Sequence, residues 1–136
     1  MIEPSLYINA CGIINALGST RHEVLQNLIE GNTGGVVPWD TKVQDKTVFV
    51  GQVDSVLPTV PQRLSQFDCR NNQLMLSALA QIEAEVDALK QHYPSDRIAV
   101  VLGTSTSGIL EGENALQEKS KTGQFPKAFH YRQQEI

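Results

Sequence analysis

The stretch Gly103-Thr104-Ser105-Thr106-Ser107-Gly108 gathers small and hydroxyl-bearing residues directly after the apolar run Ile98–Leu102. A turn from a strand into a helix places backbone amides and a helix N-terminus at the carboxyl end of a sheet, where α/β folds bind their ligands. Several chemistries compete for such a turn. A P-loop has the same glycine spacing but follows its second glycine with lysine and a hydroxyl residue. Ile109 and Leu110 stand in those positions, so both the phosphate clamp and the magnesium ligand are missing. The Gly-x-Gly-x-x-Gly dinucleotide fingerprint is absent as well. A nucleophile elbow, Gly-x-Ser-x-Gly, is nearly met with Ser105 as the attacking residue, but it needs an acid and then a histidine later in the chain. No aspartate follows Asp96, His130 is the only later histidine, and Glu111, Glu113 and Glu118 fall too soon after the serine for the usual order. A tight strand-to-helix turn, whose small residues let a helix pack closely, stays open beside any binding role.

The remaining reactive side chains form no constellation. His22, His92 and His130 do not pair at the spacing of helical metal ligands, and Cys11 and Cys69 lie far apart without a Cys-x-x-Cys pair. No metal site is expected. Cys11 falls in an expected strand and reads as a small buried apolar residue, and Cys69, just before a long helix, reads as structural. Asp68 and Arg70 read as charges at the start of that helix.

The elements around these residues alternate. Leu6–Ile14 is apolar and β-branched enough for a strand, closed by a turn over Asn15–Ser19. Thr20 and Glu23 form a capping box, Val24, Leu25, Leu28 and Ile29 share one helical face, and Gly31 ends that helix. Residues 31–46 read as a Gly-rich loop carrying the sole tryptophan, Trp39, and Thr47–Val53 as a second strand. Leu57–Pro61 is a loop with two prolines. From Asn71 to Gln91, Met75, Leu79, Ile82, Val86 and Leu89 recur at helical spacing and predict one long helix ended by Pro94. Arg97–Gly103 follows as a strand whose apolar residues on both faces argue for the centre of a parallel sheet. Ile109–Ser120 predicts a further helix, with Leu110 and Leu116 inward and Gly123 closing it; Phe125–Ile136 shows no cap or helix. The fold class expected is α/β, mostly parallel sheet with flanking helices. No repeat or low-complexity segment interrupts it.

Bulk composition narrows the function classes. The 136 residues suffice for one domain, with 40% hydrophobic and 19% charged residues. The net charge of −4 and the absence of a dense Lys/Arg run argue against nucleic acid as a partner. The N-terminus lacks the basic and apolar regions of a secretory signal, and no apolar run approaches a membrane span, so a cytoplasmic protein with reduced thiols is expected.

Three segments, in order, resemble the β-ketoacyl-acyl-carrier-protein synthases. The first is Tyr7-Ile-Asn-Ala-Cys-Gly-Ile-Ile-Asn-Ala-Leu-Gly, followed by Glu23-Val-Leu-Gln-Asn-Leu-Ile-Glu-Gly-Asn-Thr-Gly-Gly. The second is Phe49-Val-Gly-Gln-Val, and the third Arg97-Ile-Ala-Val-Val-Leu-Gly-Thr-Ser-Thr-Ser-Gly. The Thr-Ser-Thr-Ser-Gly wording, with Phe129-His-Tyr-Arg-Gln-Gln-Glu, is similar to the subgroup of aryl-polyene pathways. The resemblance implies a layered thiolase-type fold of two duplicated α/β halves, usually a homodimer, of which residues 1–136 cover most of the first half. It implies decarboxylative Claisen condensation of an acyl thioester with malonyl carrier protein, without a cofactor. The family's nucleophilic cysteine and two active histidines are expected downstream. Neither cysteine here matches that motif, so no catalytic residue is assigned and the segment alone is expected to be inactive.

What the resemblance carries over is secondary. Thr106, flanked by Ser105 and Ser107, matches a turn position that lines the acyl pocket near the dimer interface. Arg63 and Arg70 lie where relatives present basic residues to an acidic acyl carrier protein, although Pro58 and Pro61 depart from the family pattern there; ordinary solvated charge is the alternative. The partners implied are an acyl carrier protein and a second synthase subunit, as homodimer or heterodimer. Two other readings stand beside this one: a non-catalytic homologue such as the chain-length-determining partner of a synthase, and a free-standing small α/β ligand-binding domain.

Overall fold

The computed structural model describes residues 6–40, 47–104 and 108–130. The elements run α1 (Arg21–Glu30), β1 (Val36–Asp40), β2 (Thr47–Gly51), a 3-10 helix Gln62–Phe67, α2 (Arg70–Ala80), α3 (Glu83–His92), a 3-10 turn Ser95–Arg97 and α4 (Ile109–Thr122). They fall into two compact units: the described residues of Met1–Val56 with Ser77–Ala99, and those of Leu57–Leu76 with Val100–Ile136. Among the described residues, no helix is long and apolar enough to cross a membrane.

In the first unit α1 starts and stops where its caps predict. The Glu23 amide donates to Thr20 Oγ1 at 3.2 Å, satisfying one of the free amides of the first turn. The return arm of the capping box reaches one residue further back than expected, with Ser19 N donating to Glu23 Oε2 at 2.8 Å. Gly31 ends the helix in the left-handed region at φ +66°, a conformation that costs glycine little. Of the expected apolar face only Val24 is buried; Leu25, Leu28 and Ile29 are exposed.

β1 and β2 form a two-stranded antiparallel ribbon in the register Val36↔Gly51, Pro38↔Phe49, Asp40↔Thr47. β2 begins where expected and ends two residues early. β1 occupies ground that reads as a Gly-rich loop, and it carries Trp39. Its proline hides it from a sequence reading, yet in a ribbon each strand keeps one open edge, where a residue without an N–H is tolerated.

The helix expected over 71–91 is two helices. At the junction Gln81 N and Ile82 N bond to the carbonyls of Ala78 (3.3 Å) and Leu79 (3.0 Å), and Ile82 sits at φ −123°, ψ 11°. The Gln81 side chain is committed elsewhere: its Nε2 donates to Ile13 O (2.8 Å) and Ser19 O (3.0 Å), and its Oε1 accepts from Ile13 N (3.3 Å). Gly12 passes so close to this end of α2 that a β-carbon there would overlap the Ala78 carbonyl. The break therefore coincides with the point where the N-terminal segment is seated.

The expected, mostly parallel sheet is not found among the described residues. Leu6–Ile14 and Arg97–Gly103 belong to no ladder, and the sheet formed by the described residues is the antiparallel β1–β2 pair. A strand is defined by hydrogen-bonded neighbours, and composition alone supplies none. Much of both segments is open to solvent: Leu6 is 96% exposed, Ile8 94% and Val101 93%. Cys11, expected to be buried, is exposed between the half-buried Ala10 and Gly12.

In the second unit α4 runs two residues beyond Ser120 and ends at Gly123, φ +81°, whose N–H reaches Lys119 O at 2.8 Å. Its inward residues are the small Gly112 and Ala115, whereas Leu110 and Leu116, expected inward, are 46% and 59% exposed. Beyond the helix Phe125 and Phe129 stack with centroids 5.6 Å apart, and Lys119 Nζ lies 4.3 Å over the Phe125 ring. Before α2, Asn72 Nδ2 donates to Phe67 O at 2.7 Å and joins the 3-10 helix to the helix that follows.

Candidate functional site

Gly103, Thr104 and Gly108 lie within the second unit. Ser105, Thr106 and Ser107 fall outside the described residues, so the site is built from its shoulders. On the entry side Thr104 Oγ1 donates to Asn71 Oδ1 at 2.6 Å. Asn71, in the first turn of α2, is only 7% exposed and is the buried polar residue of the described chain. Its Nδ2 reaches Met75 Sδ at 3.7 Å, a weak acceptor one helical turn on. On the exit side Gly108 is buried at the N-cap of α4. One turn into that helix Glu111 Oε1 accepts from Arg70 N at 3.4 Å. A carboxylate beside the free amides of a helix N-terminus interacts favourably with the helix dipole. Cys69, just before α2, is 4% exposed, in agreement with its structural reading.

Neither arginine expected at a carrier-protein surface is buried. Arg63 is exposed on the 3-10 helix, and Arg70 is exposed at the start of α2. His22 lies on the exposed surface of α1; His92 is at the end of α3, with its Nδ1 2.8 Å from Ala88 O; His130 is exposed. Among the described residues no three His, Cys, Asp or Glu side chains are grouped to hold a metal ion. Two shallow grooves occur in the first unit, one beside α3 at Asn9, Glu85 and His92, the other along α1 at His22, Leu25 and Ile29.

Sequence reading missed Asn71 and Glu111. Asn71 resembles any polar residue opening a helix, and its partner Thr104 is 33 positions away. Glu111 reads only as an acid too soon after Ser105 to serve it, whereas in the structure it accepts from the start of another helix. The one signal was the run of small residues from Gly103 to Gly108.

No protein-family model and no curated protein matches the chain. Among solved structures, the chain is similar to a chain of the complex "Ketosynthase (ApeO) in Complex with its Chain Length Factor (ApeC) from Xenorhabdus doucetiae". The two are 40% identical with a TM-score of 0.80. The match covers 96% of this chain and 33% of that one, so the chain spans about a third of the length of the structure it matches. At that identity over nearly all of its residues, the chain is a relative of the ketosynthases, the condensing enzymes that its three sequence segments resemble.

Proposed function

We propose that the native protein is a β-ketoacyl-acyl-carrier-protein synthase to which this chain contributes the N-terminal portion of the synthase domain. The observation that carries the reading is the 40% identity across 96% of the chain, with a TM-score of 0.80. The reaction is a condensation in two stages. An acyl group passes from a carrier thioester to a cysteine thiol, releasing the carrier thiol. Malonyl carrier protein then loses carbon dioxide, and the resulting enolate carbon attacks the bound acyl carbonyl. The new carbon–carbon bond forms as the carbon–sulfur bond breaks, and the cysteine thiol is restored. Residues 1–136 supply no nucleophile to this scheme: Cys11 stands exposed in the N-terminal segment and Cys69 is buried before α2, both outside the family's small-residue motif.

This chain's part is to shape the acyl site. Thr106, with Ser105 and Ser107, lines the acyl pocket near the subunit interface, where a side chain of intermediate bulk tunes acyl length. Arg63 and Arg70 face the acidic carrier protein. In the whole protein, Leu6–Ile14 and Arg97–Gly103 become strands of a mostly parallel sheet in a thiolase-type fold, which would cover their exposed apolar residues. The pathway is of the aryl-polyene type, the compartment the cytoplasm, and the active form a dimer of synthase subunits.

A second reading is supported by the matched complex, in which a ketosynthase is paired with a chain length factor. The native protein would then be the non-catalytic member of such a pair. Incubating the whole native protein with acyl and malonyl carrier proteins, alone and with its co-purified partner, tests both. Release of carbon dioxide with a carrier thioester of the condensed mass supports the first. Product formed only when a partner supplies the reactive cysteine supports the second. No product under either condition overturns both.

A further inference from the structure

Residues 70–92 contain neither glycine nor proline, and Met75, Leu79, Ile82, Val86 and Leu89 carry one apolar stripe through them. A helix of such a sequence breaks where something intrudes on its hydrogen bonds. The break is local to the first unit, to which Gly12, Ile13, Ser19 and residues 77–92 all belong. Gln81 N bonds to Ala78 O and Ile82 N to Leu79 O, each one residue short of the α-helical acceptor. The α-helical acceptor that the Gln81 backbone gives up, Ser77 O, is met instead by the Gln81 side chain, with Nε2 3.4 Å away. The same side-chain amide holds both backbone groups of Ile13 and the carbonyl of Ser19. Gly12 lies so close to the Ala78 carbonyl that a β-carbon would overlap it. Beyond the break α3 starts without a capping side chain, because Ile82 at its N-cap has no acceptor to offer. Neither a breaker nor a cap at the junction specifies the interruption; contact with the N-terminal segment does.

From this geometry we infer that residues 77–92 are a two-state element. The helix is interrupted at Gln81–Ile82 while the Gln81 amide holds Ile13 and Ser19, and it is continuous when that amide lets go. In the continuous form Gln81 N returns to Ser77 O and Ile82 N to Ala78 O. The amides of Glu83, Ala84 and Glu85, which as the first turn of α3 have no intrahelical acceptor, gain the carbonyls of Leu79, Ala80 and Gln81. The two forms thus trade backbone bonds within the helix against side-chain bonds to a segment 62 to 68 positions away. Ile13 has a single N–H, and Gln81 Oε1 occupies it. An extended backbone that pairs with Ile13 through that group must displace Gln81. Strand pairing at Ile13 and closure of the helix are therefore linked, each favouring the other. The device involves no acyl chemistry and stands whether or not the proposed condensation does.

The test is hydrogen exchange on the whole native protein, resolved by overlapping peptides. It compares the parent with Gln81→Leu, which removes the amide, and Gly12→Ala, which leaves the amide intact and drives the segment off the Ala78 carbonyl. The two-state element predicts opposite signs at two places. Exchange should quicken at Ile13 and slow at Glu83, Ala84 and Glu85, there by roughly tenfold or more, the factor that one ordinary hydrogen bond carries. Amides in the middle of α1 should not change, which separates release of the segment from unfolding of the unit. If Gln81→Leu unfolds the unit, Gly12→Ala decides alone. Opposite signs in either variant support the inference. Exchange that quickens at both places in both variants, as simple destabilisation would give, overturns it, and so does exchange at Glu83–Glu85 that stays at the parent rate while Ile13 is released or Ile13 that is never released.

Discussion

Replacing Gln81 with leucine removes an amide that serves four backbone groups, the weakest being Ser77 O at 3.4 Å in its own helix, while keeping a side chain of similar volume. In the native arrangement Nε2 reaches Ile13 O at 2.8 Å and Ser19 O at 3.0 Å, and Oε1 accepts from Ile13 N at 3.3 Å. The amide thus occupies both hydrogen-bonding groups of Ile13, as a neighbouring strand would. Each bond contributes about 1 kcal/mol net. Gln81 and Ile13 are only partly buried, so water replaces part of the loss, and the expected cost is about 2 kcal/mol. Exchange of the Ile13 amide in the whole native protein reads that cost at its source, since local opening follows local stability. A loss of about 2 kcal/mol corresponds to roughly 30-fold faster exchange. Gln81→Glu should be at least as damaging, because a carboxylate would face the carbonyl oxygens of Ile13, Ser19 and Ser77. Gln91→Leu, on the exposed surface of α3, should change nothing. Unchanged Ile13 exchange in Gln81→Leu would refute the reasoning and leave the break between α2 and α3 without its cause.

Three further outcomes are expected. The isolated 136-residue chain should self-associate, because Leu6, Ile8, Val100 and Val101 expose apolar, strand-forming surface with no partner among the described residues; a monodisperse monomer by light scattering, melting cooperatively, would contradict this. Arg63→Glu with Arg70→Glu should weaken binding of an acidic carrier protein and flatten its salt dependence, whereas ordinary solvated charges would leave both unaltered. Thr106→Ile in the whole protein should shorten the preferred acyl chain by filling the pocket, and an unchanged preference would remove Thr106 from the pocket wall.

What was legible in the sequence was local. Thr20, Gly31 and Gly123 mark helix ends because caps depend on a few adjacent residues, and the structure keeps all three. What was illegible depended on partners far along the chain. The apolar stripe from Met75 to Leu89 predicts one helix, and nothing in that stripe reveals that Gln81 bonds to a residue 68 positions earlier. Leu6–Ile14 and Ile98–Leu102 have strand composition, but pairing comes from neighbours that composition does not name. Leu110 and Leu116 fit an inward face by spacing, while α4 turns the smaller Gly112 and Ala115 inward. For the site, the turn of small residues was visible and its anchor was not, because Asn71 and Thr104 meet only in three dimensions. The family resemblance was readable across these gaps, since it rests on the order of short segments and requires no contact to be known.

The most direct measurement is acylation of the whole native protein by acyl carrier protein, read by intact mass and then by peptide mapping. The condensing-enzyme reading predicts a stable adduct of one acyl group on a cysteine other than Cys11 and Cys69, formed in the absence of malonyl carrier protein and discharged when it is added. An adduct confined to the partner subunit would favour the chain-length-determining role. An adduct on Cys11 or Cys69, or none on either subunit, would contradict the proposed function.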